Sequence, residues 1–62
     1  MKKTTLRLVI LTEAKANLEY DLKLLQDATY VTTLPYDKSL LHQKINYTKS
    51  LIEEVDKMIV EL

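Results

Sequence analysis

Residues 40–62, LLHQKINYTKSLIEEVDKMIVEL, place Leu41, Ile45, Thr48, Ile52, Val55, Ile59 and Leu62 at intervals that alternate strictly between four and three. That spacing keeps one line of side chains on one face of a helix, the pattern of a coiled-coil seam. Leu51 and Met58 widen the line on one side, so the face predicts contact with more than one neighbour. On the opposite side Lys49, Glu53, Lys57 and Glu61 alternate in sign at i, i+4. Such a row adds only ~0.2–0.5 kcal/mol per pair, but it marks the side that meets water.

Working back from this helix, the single proline, Pro35, divides the chain into near-equal halves. The β-branched run Thr29-Tyr30-Val31-Thr32-Thr33 is a poor helix former, and a residue before proline, here Leu34, is pushed out of the α region. Asp37 or Ser39 is placed to cap the next helix. A connection is therefore predicted at about 31–37, with helices at about 5–30 and 38–62. In the first half Leu11, Ala14, Leu18, Leu22, Leu25 and Thr29 fall on one helical face. Lys15, Glu19, Lys23 and Asp27 form a second row of alternating charge. Residues 4–11 read either as the start of this helix or as a short N-terminal strand. Matched helix lengths favour the helix.

The predicted fold class is all-α, a single domain made of one antiparallel helical hairpin. A chain of 62 residues buries only about 60% of the surface its unfolded form exposes, and small folds usually need a staple. Disulfides are excluded by the absence of cysteine, and a thiolate zinc site with them. His42 is the only histidine. Association is the remaining staple, so two hairpins are expected to pair into a homodimeric four-helix bundle. Leu18, Leu22, Leu25, Ile45, Ile52, Val55 and Ile59 are the expected self-association residues.

Some apolar side chains exceed what one hairpin buries. Tyr20, Leu24 and Val31 lie away from the main stripe of the first helix, and Leu40 and Tyr47 lie at the margin of the second. Tyr20, Leu24 and Tyr47, with the basic end Lys2, Lys3 and Arg7, are the candidate face for a larger protein.

Nine basic and nine acidic side chains cancel, which argues against a nucleic-acid partner. The apolar run Leu6 to Leu11 is interrupted by Arg7 and too short for a secretory leader. No stretch approaches the ~18 apolar residues of a membrane span, so a cytoplasmic protein is expected. No cysteine nucleophile or glycine-rich phosphate loop is present, and a two-helix chain offers little concavity for catalysis. No enzyme activity, cofactor, metal or small-molecule substrate is expected. The acidic residues Glu53, Glu54 and Asp56 interleave with Lys49 and Lys57, which reads as a solvated ion-pair row.

The stretch Leu51-Ile52-Glu53-Glu54-Val55-Asp56-Lys57-Met58-Ile59 resembles the second-helix signature of the small helical-hairpin aspartyl-phosphate phosphatases of the sporulation phosphorelay, which carry a Ser-Gln-Glu-Leu-Asp motif. Glu54 and Asp56 match and Val55 is conservative, while Ile52 stands for the serine and Glu53 for the glutamine. The resemblance implies Glu54 and Asp56 as contacts to a phosphorylated response regulator. The residues themselves favour a stoichiometric regulator or inhibitor, with a structural assembly subunit as the alternative. Small, cysteine-free, charge-balanced helical chains are also common among phage and mobile-element proteins that block host factors, an analogy at the level of fold.

Overall fold

The computed structural model describes residues 2–62. Two helices pack against each other, α1 from Lys3–Val31 and α2 from Pro35–Val60. They form an elongated body of 49 × 15 × 11 Å. No strand occurs among the described residues. Residues 4–11, which the sequence allows as strand or helix, belong to α1.

The connection is shorter than the predicted 31–37, comprising only residues 32–34. The physical reason is that Pro35 opens α2 instead of lying in the loop. Its fixed φ suits the first helical position, and its missing N–H would have had no intrahelical partner there. Leu34 accordingly has φ −78° and ψ 127°, and no side-chain oxygen caps this end. Asp37 lies in the first turn of α2, where its charge favours the positive end of the helix dipole. Neither Asp37 nor Ser39 is the cap the sequence suggested.

At the other side of the loop, β-branched residues extend α1 one residue past the predicted end. The Thr29 hydroxyl donates to the Gln26 carbonyl at 2.6 Å, and the Thr32 hydroxyl donates to the Ala28 carbonyl at 2.8 Å. The Thr32 N–H reaches that same carbonyl at 3.1 Å. Thr32 then leaves the helix in an extended conformation, φ −85° and ψ 125°. No described residue has positive φ, which explains how the chain turns without glycine.

One seam joins the helices. Leu11, Ile45 and Thr48 are its buried members. Leu18, Leu22, Leu25, Thr29 and Thr32 of the first half, and Leu41, Ile52, Val55 and Ile59 of the second, are half-buried beside them. The small side chains of Ala14 and Ala28 are half-buried at the margin of the same face. Thr48 brings a hydroxyl into the driest part of this seam. It donates to the Lys44 carbonyl at 2.8 Å, so burial leaves no donor unpaired.

Two stability changes follow. Thr48→Val keeps the shape and exchanges a hydroxyl for a methyl in the seam, so chemical denaturation should show a gain of ~0.5–1 kcal/mol. Ile52→Asp puts an unpaired charge in the seam at a cost of several kcal/mol, and circular dichroism should report loss of helix.

Candidate functional site

The surface of the hairpin divides into two unlike sides. On one, a shallow groove of about 540 Å³ runs between the helices, lined by Asp21, Leu24 and Leu25 of α1 and by Lys44, Tyr47 and Thr48 of α2. On the other, a groove of about 390 Å³ is lined by Gln26, Asp27, Thr29 and Tyr30 facing His42, Ile45 and Lys49. The first has apolar walls from Leu24, Leu25 and Tyr47. The second is rimmed by amide, carboxylate, imidazole and ammonium groups.

The candidate partner residues sort accordingly. Leu24 and Tyr47, far apart in the sequence and on different helices, both line the first groove because antiparallel packing brings the two helix margins together. Tyr20 is 64% exposed on the outer part of α1. Lys2, Lys3 and Arg7 lie exposed at the start of α1, distant from that groove. No acidic residue occupies the first turn of α1, so the positive end of its dipole adds to these three charges. Of the expected self-association residues, Ile45 is buried, and Leu18, Leu22, Leu25, Ile52, Val55 and Ile59 are half-buried between the helices of one chain.

One pair was hidden by the charge rows. Lys15 and Asp56 form an ion pair across the two helices at 2.7 Å, with side chains 36% and 46% exposed. Position 15 completes the interval of four and three from Leu11 to Leu18, so the lysine occupies a seam position. The spacing signal was present; the residue type masked it, since a lysine in a row of alternating charge reads as solvated. The Asp56 carboxylate raises the Lys15 ammonium above its ordinary value of 10.5, through the hydrogen bond first and then through charge attraction. Elsewhere Lys57 approaches Glu54 at 3.8 Å one turn apart on α2.

This arrangement bears on the residues carried over from the phosphatase signature. Glu54 and Asp56 are two apart on one helix, and such positions do not share a face. Asp56 points across to α1, while Glu54 is exposed and lies near Lys57. The described residues hold no group of three or more His, Cys, Asp or Glu side chains arranged to bind a metal ion. Among the described residues no helix is long and apolar enough to cross a membrane. No family model matches the chain, and no curated protein or solved structure gives a significant match.

The Lys15–Asp56 pair generates a pH prediction. A lysine whose value is raised on folding stabilises the fold fully below its unfolded value, and that contribution fades as pH rises through the folded one. The stability of wild type relative to Lys15→Met should therefore be highest near neutral pH and fall as pH rises above about 10.5, followed by chemical denaturation at each pH. Asp56→Asn should lower the raised titration of Lys15 toward its ordinary value, with the smaller effect of Glu19 left in place, read by NMR at the lysine side chain.

Proposed function

We propose that the chain is a non-catalytic protein–protein interaction module that pairs with its own copy and acts stoichiometrically, as a regulator or inhibitor, on a larger protein. The observation carrying this reading is the surface the hairpin leaves uncovered. The chain exposes 5104 Å² at a mass of 7.2 kDa, whereas a compact monomer of that mass exposes roughly 4,100 Å². The excess of roughly 1,000 Å² is comparable to the ~800 Å² that each partner contributes to a standard interface.

Its chemistry supports the same reading. Leu6, Ile10, Tyr20, Leu24, Leu40, Tyr47 and Met58 are all 40% or more exposed, while Leu11 and Ile45 are the only buried apolar side chains among the described residues. Burial of more apolar surface is the main stabilising term open to such a fold. Tyrosine is also enriched where interfaces concentrate their binding energy. For an assembly subunit, the same surface would serve contacts that repeat without closing.

Sedimentation equilibrium over a hundredfold range of concentration tests the proposal. A closed dimer is expected, with a melting temperature that rises with chain concentration. Oligomers that keep growing would instead support the assembly subunit. A folded monomer with a concentration-independent melting temperature would exclude self-pairing.

A further inference from the structure

A second regular pattern runs along α1, outside the seam. Leu6, Ile10, Glu13, Asn17, Tyr20, Leu24, Asp27 and Val31 recur at intervals of four and three. With 3.6 residues per turn, this stripe lies roughly 150° around the helix from the seam. Its apolar members reach solvent: Leu6 is 50% exposed, Ile10 55%, Tyr20 64% and Leu24 50%. A heptad stripe is a surface for another helix, and the charges along this one select which helix and which way round.

Pairing two copies of α1 in parallel would set each stripe residue against itself. Glu13 would face Glu13, and Asp27 would face Asp27, so like charges would oppose each other. Antiparallel pairing sets the first position of one heptad against the fourth of the other. In one such register Ile10 meets Tyr20 of the second copy, Leu6 meets Leu24, Asn17 meets Glu13, and Lys3 meets Asp27. At the flank, Arg7 comes level with Asp21 of the second copy. Sliding by one heptad would put Ile10 against Asp27 and Glu13 against Leu24. The first register matches apolar with apolar, amide with carboxylate, and Lys3 with Asp27 along the stripe.

We infer that α1 docks antiparallel on α1 of a second copy, with Ile10 against Tyr20 and Leu6 against Leu24 across a two-fold axis level with Lys15. This inference rests on the self-pairing module described above and names its partner surface. It assigns Tyr20 and Leu24 to the second copy. The α2 helices then lie on the outside, where Leu40 and Tyr47 remain free for a larger protein.

The absence of cysteine makes the register directly testable. Ile10→Cys and Tyr20→Cys are prepared as separate proteins, both at exposed positions, and treated with a short bis-maleimide alone and after mixing. The expected result is a cross-linked dimer in the mixture only, because identical positions lie about 15 Å apart along the axis in this register. Asp21→Arg should weaken dimerisation about fivefold, and adding Arg7→Asp should restore it, as for a modest surface ion pair used twice.

Self-linking of Ile10→Cys alone would overturn the antiparallel register in favour of a parallel one. A dimer in sedimentation with no link in the mixture would place the contact on another face, overturning the inference while self-pairing stands. A folded monomer at every concentration would overturn both, and leave the stripe to a different protein.

Discussion

Two helices can each offer only one stripe to the other, and that limit governs the rest of this molecule. Along a seam one layer thick, every side chain keeps an open flank. Among the described residues only Leu11, Ile45 and Thr48 are buried, and no side chain is fully enclosed. A third or fourth helix would close those flanks, which is why the shape of the hairpin already points outside itself. The excess surface and the exposed apolar residues are two views of this one shortage of neighbours.

Within the seam, polar groups appear where aliphatic side chains would have packed more tightly. Thr48 is accommodated because its hydroxyl is satisfied within its own turn. Lys15 is accommodated because Asp56 lies opposite at hydrogen-bonding distance and the flank is open to water. Aliphatic rows slide past each other with little penalty, since one methyl group resembles the next. A charge pair spanning the two helices distinguishes one alignment from its neighbours a turn away.

Much of this architecture was legible in the sequence, for reasons that differ between elements. The face of α2 was clear because six of its seven repeat positions are aliphatic and the interval never slips. The breadth of α1 was less clear, because Leu6 to Leu11 is apolar all round and carries no period. The loop is shorter than the sequence predicts because Pro35 serves as a helix start as well as a breaker. Lys15 is hard to recognise as a seam residue because its charge fits the solvated row while its position fits the seam. The two grooves were not legible at all, since each is shared between helices and depends on which margins antiparallel packing brings together.

The distribution of charge between the two stripes of α1 also has a physical cause. Inside one chain, residues 32–34 fix the two helices as antiparallel neighbours, whatever their side chains prefer. Their seam therefore needs no code for orientation, and the Lys15–Asp56 pair adds one contact specific to the alignment present. Between two copies no loop imposes a direction, so orientation has to be written in the side chains themselves. In the proposed pairing Glu13, Asn17 and Asp27 weaken the exposed stripe as an apolar surface, yet Glu13 and Asp27 oppose the parallel arrangement and the antiparallel one that sets Ile10 against Asp27. A purely aliphatic stripe would bind more tightly and less selectively. Under that proposal, the interruptions that make the stripe look like ordinary surface are the features that give the pairing its direction.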